Sequence, residues 1–279
     1  MKCMNLSKYL VFLSLSITSL IACNTQAAIV PPTATIQPTE TTEPTTVPPT
    51  NTPMPQPLFD DVIDTTDLVA YYPFTESADD LSGYGNHGAI QDGTFGLDRF
   101  DQSGGAFTLD GTDDFIIIDD TKSLDLTFEM SIAVWFYHQT QASETWYTIV
   151  EKSDPERDGH SRYGMWLIRD LVEVCVQPVD LSWPQRCLDS EIPLESDQWH
   201  HLVGTSDGGT LRIYINGQPA GEQEFTPRSA ISQSNFELFI GTDLYNASVI
   251  YTQGMIDELR LYKRTLTEEE VKILYEAER

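Results

Sequence analysis

The sequence predicts an all-β domain over residues 58–279, a β-sandwich or jelly roll closed by a short C-terminal helix. Three observations predict it. Short runs of β-branched and aromatic residues recur through this stretch, turn chemistry separates them, and no helical pattern stands between them. In order, the runs are Leu68–Phe74, Ala106–Leu109, Phe115–Ile118, Ser131–Tyr137, Tyr147–Glu151, Tyr163–Ile168 and Val172–Val176, then His200–Thr205, Leu211–Ile215, Phe236–Ile240 and Glu258–Tyr262.

Each run is bounded by residues that reverse a chain. Leu109-Asp110-Gly111 separates the second run from the third, and Asp207-Gly208-Gly209 follows the eighth. Leu211, Ile213 and Ile215 alternate with Arg212, Tyr214 and Asn216, the period of a half-buried strand. Asn216-Gly217 then supplies a type I′ hairpin turn, in which both central residues take positive φ. At the C-terminus Thr267 and Glu270 form a capping box, and Glu268 and Glu269 sit at the positive end of the dipole. Val271, Leu274 and Tyr275 share one face, so this helix is expected to dock on the sandwich.

The N-terminal segment has a different composition. Lys2 and Lys8 precede an apolar stretch from Tyr9 to Ala22 that is short for a bilayer span. Leu20-Ile21-Ala22-Cys23 resembles the lipobox of bacterial lipoproteins, which implies a signal peptide over 1–22 and lipidation of Cys23. An ordinary secretory signal with a chance cysteine, or an uncleaved anchor, stands as the alternative. Asn24 to Pro57 holds 9 prolines and 10 threonines, with no glycine, no aromatic residue and only Glu40 and Glu43 charged. Such a stretch buries no core and is expected to be a disordered, polyproline-like linker, reaching at most about 105 Å at ~3.1 Å per residue. Residues 23–57 thus read as a lipidated cysteine plus linker, placing the domain in the bacterial cell envelope, outside the cytoplasm, with the lipid as its sole contact with the membrane. In an exported chain, Cys175 and Cys187 are expected to form a disulfide stapling a hairpin, worth roughly 3 kcal/mol for so short a loop.

Charge narrows the partners. The chain carries 16 basic and 43 acidic residues, net −27, and residues 58–279 keep 14 and 41 of them. An acidic surface repels nucleic-acid phosphates and attracts cations, with oxygen-ligand metals ahead of zinc.

Several strings, in order, resemble the laminin G-like, concanavalin A-like sandwich family. They are Leu68–Phe74, Asp80-Leu81-Ser82-Gly83-Tyr84-Gly85-Asn86-His87-Gly88, Phe107–Phe115, Ser131–Phe136, Trp199-His200-His201-Leu202-Val203, Leu211–Gly217 and Gly254–Tyr262. The resemblance implies a two-sheet antiparallel jelly roll, usually non-catalytic, that binds sugars or proteins and often holds a structural calcium. It also places Trp135 and Trp199 in the core.

Calcium ligands are sought where the pattern puts a carboxylate inside. Asp257 has the parity of Leu259 and Leu261, and an inward carboxylate is costly unless paired or bound to metal. The Asp80–Gly88 loop offers Asp80 and Asn86, and in relatives the two segments meet. Asp80, Asn86 and Asp257 are therefore the expected calcium ligands, against a loop held by Asx-type hydrogen bonds. Gly83 to Gly88 also spells G-x-G-x-x-G, but no βαβ unit surrounds it. His200 and His201 point to opposite faces of a strand and cannot ligate together. Asp113-Asp114 and Asp119-Asp120 are expected to cap turns or stay solvated. No paired carboxylates on one strand face and no G-x-S-x-G string appear, so no catalytic residue is named and an enzyme is not expected. The aromatics Trp146, Tyr147, Trp183, Tyr245 and Tyr251 lie in or beside expected loops, where a ring can stack on a sugar; Trp146, Trp183, Tyr245 and Tyr251 are the candidate ligand residues. The function expected is non-catalytic binding of carbohydrate, the alternative a protein–protein adhesion or scaffolding module of the envelope.

Overall fold

The computed structural model describes residues 65–139, 146–153, 161–179, 185–245 and 248–279. In chain order the first strands are β1 (Leu68–Tyr72), β2 (Gly88–Gln91), β3 (Thr94–Leu97), β4 (Ser103–Asp110), β5 (Phe115–Ile118), β6 (Met130–Tyr137), β7 (Trp146–Ser153), β8 (Ser161–Ile168) and β9 (Leu171–Val176). They are followed by β10 (Arg186–Asp189), β11 (Trp199–Ser206), β12 (Thr210–Ile215), β13 (Gln218–Glu224), β14 (Leu238–Ile240), β15 (Thr242–Tyr245), β16 (Ser248–Tyr251), β17 (Gln253–Tyr262) and the helix α1 (Glu268–Glu278). The first sheet runs β13-β12-β11-β6-β17-β4-β3, with β1 also on β17; the second runs β10-β9-β8-β7-β14-β5-β2. All pairings are antiparallel, and β15 and β16 form a separate hairpin. This is the expected two-sheet antiparallel jelly-roll sandwich.

Alternation builds the core. Ile132, Val134 and Phe136 of β6, Leu202 of β11 and Leu259 and Leu261 of β17 meet Met165 and Leu167 of β8, Val172 and Val174 of β9 and Ile116 and Ile118 of β5. β2, β3 and β13, absent from the sequence reading, lack this signal. β13 has one buried residue, Ala220, and β2 and β3 have none. The Asn216-Gly217 turn joins β12 to β13 with φ of 52° and 72°, as a type I′ turn requires.

One irregularity re-aims side chains that matter below. β17 pairs Asp257 with Trp135 and then Arg260 with Ala133, so an extra residue is accommodated, with Glu258 at φ 53°. Ile256 on one side of this bulge and Leu259 on the other both face the core. Asp257 therefore turns to the outer face with Trp135, and the parity argument that placed it inside is corrected by the bulge. α1 begins at the expected capping box and packs Val271 and Leu274 on Ala133, Val203, Tyr214 and Tyr262 of that outer face.

Candidate functional site

The Asp80–Gly88 loop is organised by one carboxylate. Asp80 Oδ1 accepts from the backbone N–H groups of Tyr71 (2.9 Å) and Ser82 (2.8 Å), and Oδ2 from the Ser82 hydroxyl (2.9 Å) and the Asn86 N–H (2.9 Å). The Asn86 carboxamide donates to Val69 O (2.7 Å) and accepts from the hydroxyls of Thr121 (2.6 Å) and Ser123 (3.0 Å). Its positions φ 91° at Gly83 and 78° at Gly85 belong to glycine.

Asp257 lies in a different network. Its Oδ2 accepts from the Arg99 guanidinium, which stacks over Trp135 at 5.1 Å. Beside it, Arg260 is paired with Glu278 (2.6 Å) and Glu258 (2.7 Å), Trp135 Nε1 donates to Glu278 (2.7 Å) and Tyr71 Oη to Glu258 (2.8 Å). Burial pushes the Asp257 carboxyl up to about 8 against the opposing pull of Arg99. It also pushes Glu278 up, and holds His201, clustered with the rings of Trp135 and Tyr275, down at about 3. The structure brings Asp80 and Asn86 together and leaves Asp257 with Arg99. The loop oxygens are hydrogen-bonded to protein donors and the third carboxylate to a guanidinium.

Other carboxylates have structural partners. Asp110, Asp113 and Asp114 bring ligand atoms within 4.8 Å of one another in the β4–β5 turn. There Asp114 accepts the Asp110 N–H (2.8 Å), and Asp110 accepts the Thr112 N–H (2.7 Å). Asp120 pairs with the buried Lys152 at 2.5 Å. Glu151, on the outer face of β7, accepts from the hydroxyls of Ser153 (2.8 Å) and Ser161 (3.0 Å) and from Trp166 Nε1 (3.2 Å). Burial and the nearby Asp243 charge raise it to about 8. Cys175 and Cys187 form the expected disulfide, at directly opposed positions of β9 and β10.

The aromatic candidates separate. Trp146 opens β7 with 44% of its surface exposed. Tyr251 is half-buried against Phe115, centroids 6.2 Å apart. Tyr147 belongs to the core, because β7 begins one residue earlier than the pattern suggested. Trp183, the side chain of Tyr245 and the lipidation candidate Cys23 lie outside the described residues. Trp135 is buried as expected, whereas Trp199 is half-exposed on the outer face of the first sheet, which corrects its assignment to the core. Sequence reasoning also missed Arg99, Glu151, Lys152, Arg260 and Glu278. A signal existed for Glu278, which lies seven residues after Val271 and four after Leu274, on the same helical stripe.

Comparison with known proteins places this geometry. No curated protein matches the sequence. Similar solved structures include the binding domain of Paraclostridial Mosquitocidal Protein 1, with TM-score 0.62 and 15% identity over 76% of this chain and 52% of that one. They also include botulinum neurotoxin type C, with TM-score 0.60 and 13% identity over 76% and 51%. A third is the binding domain of botulinum neurotoxin DC in complex with rat synaptotagmin II, with TM-score 0.59 and 14% identity over 76% and 52%. The chain spans about half the length of each, and at such identities the likeness is one of fold. A laminin G family description matches residues 110–272, more than half of the chain, from the last residue of β4 into α1. By that match the chain belongs to the concanavalin A-like lectin/glucanases superfamily.

Proposed function

We propose that this chain is a non-catalytic binding module that recognises carbohydrate, held at the surface of a bacterial cell through a lipid on Cys23 and the Pro/Thr linker of residues 24–57. The observation that carries the binding reading is a lectin-superfamily sandwich whose buried carboxylates are engaged by its own donors while tryptophan rings remain in solvent. A retaining or inverting glycosidase needs two carboxyls that reach the sugar. Glu151 is 1% exposed and held by three donors, which argues against that role. The structure of botulinum neurotoxin type C is described as one whose cell entry depends on two ganglioside molecules, which supports a glycan ligand on this fold. That of neurotoxin DC, solved with synaptotagmin II, supports a second reading, a protein-binding adhesion or scaffolding module.

A glycan array probed with the whole chain tests the first reading. Sugar-specific binding without release of reducing sugar is the expected outcome. EDTA added to the array tests the calcium expected at the Asp80 loop, with loss of binding supporting it and survival of binding sinking it. An array silent throughout, with capture of an envelope protein, would establish the second reading instead.

A further inference from the structure

The described part of the outer face of the first sheet is sealed by α1 at one end and open at the other. At the open end one cross-strand row runs over four strands. Register pairs Trp199 of β11 with Tyr137 of β6, Tyr137 with Met255 of β17, and Met255 with Thr108 of β4. Directly paired residues share a face, so the four side chains stand side by side over about 14 Å at ~4.8 Å per strand. All four are half-exposed. The rings of Tyr137 and Trp199 are 5.8 Å apart, tilted by 58°. Two residues further along the same strands, Gln139 and Gln253 meet through a hydrogen bond of 3.2 Å, placing carboxamides beside the rings. On β3, a Cβ at Gly96 would stand 2.5 Å from Thr108 Oγ1 and 3.8 Å from Met255 Sδ, so the glycine keeps that end of the row low. Phe100, 43% exposed and 4.5 Å from the Arg99 guanidinium, lies toward the covered end.

Charge chooses the occupant. Residues 58–279 carry 41 acidic and 14 basic residues, yet Trp199, Tyr137, Met255, Thr108, Gln139 and Gln253 include neither. A polyanion is repelled by such a domain, and the row itself offers a cation no carboxylate, Asp110 of β4 standing at its edge opposite Gln253. Aromatic faces for C–H stacking, with amides beside them to hydrogen-bond hydroxyls, match an uncharged oligosaccharide laid across the strands.

We infer that the row Trp199–Tyr137–Met255, flanked by Gln139 and Gln253, is the binding platform for an uncharged oligosaccharide. This rests on the carbohydrate reading above and goes further by placing the site on the sheet face, away from the Asp80 loop and from Trp146.

Titration calorimetry on the whole chain tests it, with cellohexaose, xylohexaose, mannohexaose and laminarihexaose as uncharged probes and polygalacturonate as the anionic one. At least one uncharged probe is expected to bind. Trp199→Ala and Tyr137→Ala should each weaken it about tenfold or more, the loss of one stacking contact, while Trp146→Ala and Tyr251→Ala stay within about twofold. Should either row variant melt early, Gln139→Ala, at an exposed position, is expected to weaken binding about fivefold without affecting folding. Undiminished affinity in the row variants, or loss confined to Trp146→Ala, would overturn the platform and leave the carbohydrate reading standing. Binding of polygalacturonate alone would overturn the choice of an uncharged ligand. Silence of the unmodified chain toward every probe would overturn both.

Discussion

Glu151 shows what a single residue contributes and how pH reveals it. In an unfolded chain carboxyls ionise near 4. Burial and Asp243 hold Glu151 at about 8, burial and Asp189 hold Glu173 at about 7, and burial holds Asp257 at about 8. Between those limits the folded chain keeps protons that the unfolded chain has lost. Stability therefore falls as pH rises, until the folded groups have also ionised above about 8. His201, held at about 3, works in the opposite sense below its unfolded value of about 6.5, where the unfolded chain takes up a proton first. The carboxyl effect is thus read between about pH 6.5 and 8.5. Glu151→Gln cannot ionise, and its melting temperature is expected to drop less over that interval than that of the unmodified chain. Equal drops in thermal circular dichroism would show that Glu151 ionises normally. None of this was legible beforehand, because Glu151 closes an apolar run and nothing in the string says that Ser153, Ser161 and Trp166 converge on it.

Elements were more legible than residues. β5, β9 and β12 match the sequence reading in extent or nearly so, since burial on one face leaves a clean alternation or a continuous apolar run. β10 and β13 escaped because an edge strand has little to bury. The β17 bulge escaped because a period-2 pattern carries no mark of one extra residue, and with it went the placement of Asp257. α1 was read from its cap and stripe, but the charged lock at its end was not. Glu278 pairs with Arg260 and accepts from Trp135 where no water reaches, so removing it leaves the buried guanidinium with Glu258 as its remaining carboxylate and strands an indole N–H. Glu278→Ala is expected to cost about 3–5 kcal/mol, well beyond the ~1 kcal/mol of deleting the Thr267 cap. Urea denaturation of the two variants compares them directly, and similar midpoints would mean that the lock adds little.

Across the whole molecule, acidity is concentrated in residues 58–279 and nearly absent from residues 24–57. An acidic domain behind a sparsely charged segment is repelled by an anionic surface, which suits the proposed lipid anchor. Cys23→Ala is expected to abolish incorporation of a clickable fatty acid and move the chain from the membrane to the soluble fraction. Continued labelling would place the lipid elsewhere. The entry point of the chain gives the β1 ladder a mechanical meaning. Among the described residues β1 pairs with one strand, β17, the Asp80 loop holds its other edge through Tyr71 and Val69, and beside it Lys263 N–H donates to Asp67 O at 2.9 Å. Tension on the chain ahead of Thr65 arrives first at β1, which is held by the β17 ladder on one edge and the Asp80 loop on the other, with the Tyr71–Glu258–Arg260 contacts as a clasp. Under drag the lifetime of the fold is then set by how fast β1 pulls free of β17 and the Asp80 loop together, a rate and not an equilibrium, however stable the sandwich behind it.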